Sequence, residues 1–397
     1  MVAVEVVPGV YWVGAVDWSI RDFHSYVTRH GTTYNAYLIK AEKVALVDTV
    51  RAEFSRQLLA NVEGITPPEE IDYIVVNHVE PDHSGAMPAV MNAARSAKVL
   101  ATEAGVNGLL RHYHRRDWPL VAVKTGDELA LGGKTLSFIE APMLHWPDSM
   151  FTYLKEDGLL LPNDAFGQHL ATSQRFDDEV QDLMGAAAGY YANILMPFAP
   201  QVARMIEKLR NLGLRIETIA PSHGVIWRKY PAKIVQAYME WSGGRSENKA
   251  VVVFDSMWGS TEKMAYAIAD GVASRGVEAK VFHLRRSDTS DVLKEILDAR
   301  AIIIGSSTLN NGPLPAMVSF LACMRGLRPR GKGTAAFGSY GWGGGAIRAI
   351  EAECKAMGME ALAAGLGVKY VPDQSELQTC IEYGRTIADK VKSLPRP

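Results

Sequence analysis

Four side chains able to bind a metal crowd into six positions of this chain: His78, Glu80, Asp82 and His83, within Asn77-His78-Val79-Glu80-Pro81-Asp82-His83-Ser84-Gly85. The apolar run Ile71-Asp72-Tyr73-Ile74-Val75-Val76 leads straight into them and reads as a buried strand. On an extended segment, residues at i and i+2 share a face. His78 and Glu80 therefore point one way, and the turn after Pro81 can swing Asp82 and His83 to a second point. One tight loop can feed two metals; a solvated polar turn is the plain alternative. Three more candidates each follow an apolar, strand-like run: His145 in Leu144-His145-Trp146-Pro147-Asp148-Ser149, Asp164 in Asn163-Asp164-Ala165-Phe166-Gly167-Gln168-His169, and His223 in Pro221-Ser222-His223-Gly224. Taken singly, either histidine reads as a loop or core residue and Asp164 as a helix cap. Taken together, in this order and each after a strand, they predict a two-metal site.

A second chemistry lies further on. The strand Val251-Val252-Val253-Phe254-Asp255 opens into Ser256, Met257, Trp258, Gly259, Ser260 and Thr261, then a helix. Backbone N–H groups, hydroxyls and a positive helix end make an anion cradle there. It lacks the lysine of a nucleotide P-loop, which suits a monophosphate. Two more loops follow later strands: Ser307, Thr308, Leu309, Asn310, Asn311 and Gly312, and Ser339, Tyr340, Gly341, Trp342, Gly343 and Gly344. Trp258, Tyr340 and Trp342 are candidates to stack on a flat ring. The glycine run after Tyr340 comes too late in its domain, with the wrong spacing, for a dinucleotide fingerprint.

The elements that must position these loops fall into two patterns. Short apolar runs of residues 1–50 read as a β-meander. Helix is expected over 51–63, 86–95 and 186–212, and strands over 71–76 and 97–102, with a second β-rich set over 118–165. After a polar, Gly-rich linker at 241–249, strands at 250–254, 278–284, 300–305, 333–338 and 366–371 alternate with helices near 261–274, 290–298, 314–325, 344–356 and 375–393. That alternation implies a doubly wound parallel sheet of five strands. The expected domains are 1–245 and 250–397.

The 397 residues exceed one ordinary core. Apolar content is 48%, charged content 22% and net charge −2, so no basic excess points to nucleic acid. No apolar run approaches ~18 residues, and Met1-Val2-Ala3-Val4-Glu5 shows no signal peptide; a soluble, cytoplasmic protein is expected. Cys323, Cys354 and Cys380 lie far apart, outside any CxxC, and read as thiols in a reducing compartment. Three cysteines cannot hold a four-cysteine iron site, so a rubredoxin-type iron belongs on another protein.

The order HxExDH, His, Asp, His resembles the metallo-β-lactamase superfamily, in which the carboxylate at the Asp164 position bridges two metals. Hydrolases of that superfamily carry His where this chain has Glu80. A carboxylate in that place adds charge and a hard oxygen donor, favouring iron over zinc and redox over hydrolysis. The later loops resemble flavodoxin, whose FMN lies at the carboxyl ends of such strands. The two together resemble the flavodiiron proteins (A-type flavoproteins), over essentially the whole chain. The fold implied is an N-terminal metallo-β-lactamase-like αββα sandwich followed by a flavodoxin-like sheet. His78, Glu80 and His145 would hold one iron, Asp82, His83 and His223 the other, with Asp164 between them. The resemblance further implies reduction of nitric oxide to nitrous oxide, or of dioxygen to water, with electrons relayed through FMN. The expected donor is rubredoxin or a reduced-flavin or deazaflavin carrier. The expected assembly is an antiparallel homodimer or a dimer of such dimers, the FMN of one subunit beside the irons of the other.

His24 could donate a hydrogen bond to a bound oxygen or nitrogen ligand, or be a plain loop histidine. Tyr191 could reach the metals or pack in the core. Trp146, Trp227 and His169 could line or orient the site. Arg111, His112, His114, Arg115 and Arg116 read as a solvated face, or as a docking patch for an acidic donor. Two other functions stay open: a zinc hydrolase with a regulatory flavodoxin domain, and a non-catalytic electron-transfer or sensing module.

Overall fold

The computed structural model describes residues 3–394; Met1 and Val2, which belong to the N-terminal stretch read above, and residues 395–397 lie outside the described residues. Among the described residues no helix is long and apolar enough to cross a membrane. The chain forms two compact units. The first runs to Tyr191 and takes in Phe198–Met239; the second takes Ala192–Pro197 and the chain from Glu240 onward.

In the first unit two sheets face each other. The larger has seven strands in the order Val4–Val7, Val10–Trp12, Tyr37–Lys40, Val44–Val47, Ile71–Val75, Lys98–Ala101 and Leu120–Ala122. The smaller runs Glu128–Ala130, Thr135–Glu140, Met150–Leu154, Leu159–Leu161 and Thr218–Ile219. Period-two alternation assigns the faces. Ala45, Val47 and Val75 point between the sheets and pack with Trp12, Phe138, Leu159 and Leu161. Leu46 and Ile74 point outward into a second core with Leu58 and Val62 of the helix Ser55–Glu63 and Val90 of the helix Met87–Ala93. Helices outside and sheets inside make the expected αββα sandwich. Each candidate ligand follows a strand end: His78 after Ile71–Val75, His145 after Thr135–Glu140, Asp164 after Leu159–Leu161 and His223 after Thr218–Ile219.

The second unit is doubly wound. Its parallel strands run in the order Glu278–His283, Lys249–Asp255, Ala301–Ser306 and Gly333–Tyr340, with Glu360–Ala361 and Leu366–Lys369 both paired to the last of these. Ala250, Val252 and Phe254 pack on one face against the helices Ser260–Ser274 and Gln374–Ser393. Val251 and Val253 pack on the other against Thr289–Leu297 and Pro315–Leu327.

Three expectations are corrected. The helical stretch 186–212 is broken into the helix Leu183–Tyr190, a π-turn at Tyr191–Leu195, a single 3-10 turn and the helix Ala199–Asn211. Pro197 has no N–H to continue the ladder, and Pro200 sits where proline is tolerated, in a first turn. The fifth strand is split in two. The linker is shorter than 241–249: the helix Pro231–Ser242 runs into it, and strand Lys249–Asp255 begins at its end, with Lys249 buried and paired to Glu295 at 2.9 Å.

The helices Ser260–Ser274 and Gln374–Ser393 touch backbone to backbone, because two glycines face the crossing. A Cβ on Gly384 would run into the carbonyl of Ile268, and one on Gly271 into that of Ile381. Gly384→Ala should therefore destabilise the second unit by about 1–3 kcal/mol through overpacking, read as a lower urea midpoint; an unchanged midpoint would show that the helices can slide apart freely.

Candidate functional site

His78, Glu80, His145 and Asp164 form one group of metal-capable side chains, and Asp82, His83 and His223 form another; within each group the ligand atoms lie within 4.8 Å of one another. The local chain explains the split. Glu80 is the last extended residue, and Pro81 then opens a one-turn helix, Pro81–Ser84, which carries Asp82 and His83. His78 and Glu80 stay on the strand side, while Asp82 and His83 are turned away on the helix. Gly85 closes the turn, donating to the Pro81 carbonyl at 2.8 Å.

Asp164 faces both groups. Its Oδ2 lies 3.4 Å from His145 Nε2 and 3.8 Å from His78 Nε2, and its Oδ1 lies 3.1 Å from His83 Nε2 and 3.4 Å from His223 Nε2. Glu80 Oε2 lies 3.2 Å from His78 Nε2 and 3.4 Å from His145 Nε2, and Asp82 Oδ2 lies 3.2 Å from His223 Nε2. Donors about 2.1 Å from one metal sit ~3.0–3.4 Å apart in octahedral or tetrahedral geometry, and all of these spacings but the 3.8 Å one fall in that range. Asp82 Oδ1, Asp164 Oδ2 and both ring nitrogens of His83 are buried with no hydrogen-bond partner among the described residues. Buried polar atoms rarely stay unpaired, and metal ions would satisfy the two carboxylate oxygens and the Nε2 of His83. Three carboxylates with four imidazoles suit iron by donor type.

The field in the pocket is strongly negative. Burial alone would drive protons off the imidazoles. Against that burial, the neighbouring carboxylates of Asp164 and Glu80 hold His145 up at about 9, and those of Asp164 and Asp82 hold His223 at about 10. Burial likewise opposes the charged form of Glu80, but hydrogen bonds from His145, His24 and His78 outweigh it and keep the carboxylate ionised. The same wells that draw protons would draw cations.

Surrounding groups fix which imidazole nitrogen faces the pocket. His78 Nδ1 donates to Asp148 Oδ2 at 3.0 Å, and Asp148 also accepts from Val79 N at 2.8 Å. His223 Nδ1 donates to the Thr33 carbonyl at 2.6 Å. Both rings therefore present Nε2. Trp146 packs edge-on against His78, ring centroids 4.9 Å apart. The His145 loop reaches the site through a cis Leu144–His145 peptide.

Beneath the loops lies a hub that sequence reading missed. Asp48, buried, accepts from Asn77 N at 2.7 Å, Asn77 Nδ2 at 3.1 Å and Asn163 Nδ2 at 3.1 Å. Asn77 Oδ1 in turn accepts from Thr152 Oγ1 at 2.7 Å. One carboxylate thus ties the residue before His78 to the residue before Asp164. The available signal was an Asp closing the apolar run Val44–Val47.

His24 Nε2 lies 2.5 Å from Glu80 Oε1. It sits at the tip of the hairpin Asp22–Phe23/Tyr26–Val27, where His24 and Ser25 both adopt positive φ, 52° and 66°. Two-residue hairpin turns of this kind favour Asn and Gly, so the His-Ser pair is held for its contacts. Tyr191 packs edge-on against Tyr238. Its neighbour Tyr190 places the hydroxyl on the site, donating to Asp164 Oδ1 at 3.0 Å, beside Ser222 Oγ at 3.1 Å. Burial, reinforced by Asp164, pushes the Tyr190 phenol up and keeps it a donor. Leu183, Ala187 and Tyr190 are the buried face of their helix, and that i, i+4, i+7 spacing was the signal that could have found it. His169 stands behind His223, bonded to Tyr26 Oη at 2.6 Å and Thr32 Oγ1 at 2.8 Å. Trp227 Nε1 braces the Asp164 loop through the Phe166 carbonyl at 2.9 Å. His112 and His114 are exposed, and Arg115 is bonded to Asp117.

In the second unit the predicted loops meet around a cavity of about 610 Å³ lined by Met257, Trp258, Ser260, Ser307–Asn311, Ser339–Gly343, Tyr370 and Val371. A hydroxyl cluster underlies its floor: Ser260 Oγ lies 2.7 Å from Ser339 Oγ, and the buried Thr261 Oγ1 lies 2.9 Å from Ser307 Oγ and 2.8 Å from Ser339 Oγ. Gly259, at φ 83°, turns the chain into the helix that starts at Ser260, whose first N–H groups have no intrahelical acceptor. Its mouth is aromatic and apolar. A phosphate on the floor and a flat ring at the mouth fit this division. Of the predicted residues, Ser256, Gly259, Thr261, Gly312 and Gly344 do not line the cavity, and Gly345 approaches Asn311 so closely that a Cβ there would strike its carbonyl. Tyr370 and Val371 were not singled out from the sequence.

Asp48→Ala should cost about 3 kcal/mol, since it strands three buried donors, and should lower metal content with it; thermal melting and elemental analysis check both, and unchanged metal content would show that the loops hold themselves.

The family model described as ODP family beta lactamase matches residues 32–224, and the flavodoxin model matches residues 252–384. The nitric oxide reductase of Moorella thermoacetica is 52% identical over 393 residues, covering 98% of each chain. Among solved structures, the rubredoxin oxygen:oxidoreductase from Desulfovibrio gigas superposes with a TM-score of 0.96 at 40% identity, covering 98% of this chain and 99% of that one. The flavodiiron protein from Giardia intestinalis gives 0.96 at 34% identity, covering 99% and 98%. With likeness of this extent carried through both units, the chain belongs to the flavodiiron protein family.

Proposed function

We propose that this chain is a flavodiiron reductase that takes electrons through FMN to a pair of iron ions and reduces nitric oxide to nitrous oxide, dioxygen to water, or both. The observation that carries the reading is the seven-residue cluster with Asp164 facing both halves and Glu80 as an oxygen donor among imidazoles. When bound, the iron pair and FMN supply the redox chemistry: two ferrous ions and a reduced flavin together hold the four electrons that dioxygen needs, and two of those suffice to couple two nitric oxides.

The chain's own residues do the rest. His78, Glu80 and His145 would hold one iron, Asp82, His83 and His223 the other, and Asp164 would bridge. Asp148 and the Thr33 carbonyl orient His78 and His223, so binding requires no tautomer change. Tyr190 holds its proton on Asp164 and fixes the angle of the bridging carboxylate. His24 does the same for Glu80 from the other side, and it also lines a cavity of about 270 Å³ with Ile20, Asp22, Phe23, Arg51, Glu80, Pro81 and Asp82 that serves as the way in for a small gas. Holding two substrate molecules side by side is a proximity effect.

The flavin rim supports a homodimer. Trp258 and Trp342 are each 92% exposed there. Aromatic residues left so open on one rim suit a covered face, and a second copy, packed antiparallel, would cover it. The electron donor is rubredoxin or a reduced-flavin or deazaflavin carrier. Three free thiols, two of them buried, accord with a reducing cytoplasm.

The purified chain should carry two iron ions and one FMN; zinc without flavin would sink the proposal. Glu80→His should shift the bound metal from iron towards zinc and abolish consumption of both gases, measured by elemental analysis and by gas electrodes under a shared reductant. A variant with full iron and full turnover would refute the role given to Glu80.

A further inference from the structure

The flavin cleft has a wall that no predicted loop supplies. Strand Leu366–Lys369 pairs with Phe337–Tyr340, and its last residue, Lys369, lies opposite Tyr340. The chain then turns at Tyr370, with φ 65°, and Tyr370 N donates to the Tyr340 carbonyl at 2.8 Å. Asp373 caps the helix that follows, accepting from Glu376 N at 2.8 Å. The turn is therefore fixed at both ends. A positive φ on an aromatic residue is uncommon and marks a conformation kept for its contacts. Tyr370 is 62% exposed and Val371 57%, and both line the 610 Å³ cavity. The Tyr370 ring lies over Gly341: a Cβ there would come within 3.3 Å of its Cε1.

We propose that Tyr370, with Val371, forms a fourth loop of the flavin site and packs against the ring system, not the phosphate. The division of the cavity decides between the two ends. Hydroxyls of Ser260, Thr261, Ser307 and Ser339 gather at the floor with the helix start, where an anion belongs. Tyr370 stands at the mouth among Trp258, Tyr340 and Trp342, just after an edge strand of the sheet. Aromatic faces bind a flat conjugated ring through offset or edge contacts. Lys369 Nζ lies 5.7 Å from the Tyr370 ring and helps hold it in place. A side chain at Gly341 would crowd the tyrosine ring.

This inference rests on the flavin reading above, and the test separates the two. The full chain, freed of flavin, is titrated with FMN and with riboflavin, which lacks the phosphate, and flavin fluorescence is followed. Tyr370→Ala should raise the Kd for both by roughly tenfold, from the loss of one aromatic contact. Tyr370→Gly should do the same, and because glycine accepts the positive φ without strain its loss cannot come from the backbone. Tyr370→Trp should restore both affinities. Ser260→Ala, at the floor, should weaken FMN more than riboflavin. Unchanged affinities in Tyr370→Ala and Tyr370→Gly would overturn the proposal, as would a loss confined to FMN. A native chain that takes up no FMN would instead overturn the flavin reading itself.

Discussion

Negative charge confined in a dry place governs the first unit. Glu80, Asp82 and Asp164 are each at most 7% exposed, and Asp148 stands just behind them at 5%. Carboxylates so close together cannot all remain ionised in a low dielectric without positive charge among them. The imidazoles respond by binding protons more tightly than burial alone would allow. Metal ions answer the same demand with more charge in less space, and they use the imidazoles as neutral donors. The site is thus built around a cation, and the surrounding hydrogen bonds keep it in shape for one.

That shape depends on groups with no redox chemistry of their own. Four ligand-bearing loops leave four different strand ends, and each is tied down by buried hydrogen bonds. Asp48 joins the His78 and Asp164 loops through Asn77 and Asn163. Asp148 ties the His145 loop back to His78 and Val79. The Thr33 carbonyl anchors His223, and Thr33 Oγ1 accepts from Gly224 N at 2.7 Å. These are short bonds between buried partners, where a low dielectric strengthens them and makes their loss expensive. Rigid loops keep the two ligand groups apart and leave Asp164 as the element common to both.

The sequence displayed the ligands because their pattern is local or follows strand ends. HxExDH needs only one loop, and the later His, Asp and His come after apolar runs that alternate as strands must. The flavin loops were legible for the same reason, as breaks in a regular β/α rhythm. What the sequence hid depends on contacts between distant segments. Asp48 meets Asn163 across more than a hundred residues, and nothing local distinguishes it from any strand-ending aspartate. Tyr190 and Tyr191 are adjacent, so one step in helical phase decides which faces Asp164, and the π-turn beginning at Tyr191 disturbs the period just there. The uniform helix expected over 186–212 hid that turn. Tyr370 follows an edge strand, where the expected pattern of three flavin loops had already been filled.

The two sites meet solvent in opposite ways, and this bears on how they work as one enzyme. The metal cluster is closed, with His145 the most open of the seven ligands at 12% side-chain exposure. His24 and its neighbours line a cavity that touches it at Glu80 and Asp82. The flavin cleft is open, and its aromatic rim faces outward. A flavin seated there would be exposed to dioxygen, which reduced flavins react with directly and wastefully. An uncovered rim would therefore work against a reductase whose electrons must travel onward to iron. In the proposed homodimer, the face of a second copy would cover the rim, shield the reduced ring and bring it to a surface through which electrons could pass. In the homodimer proposed above, the exposed tryptophans would make association part of the chemistry.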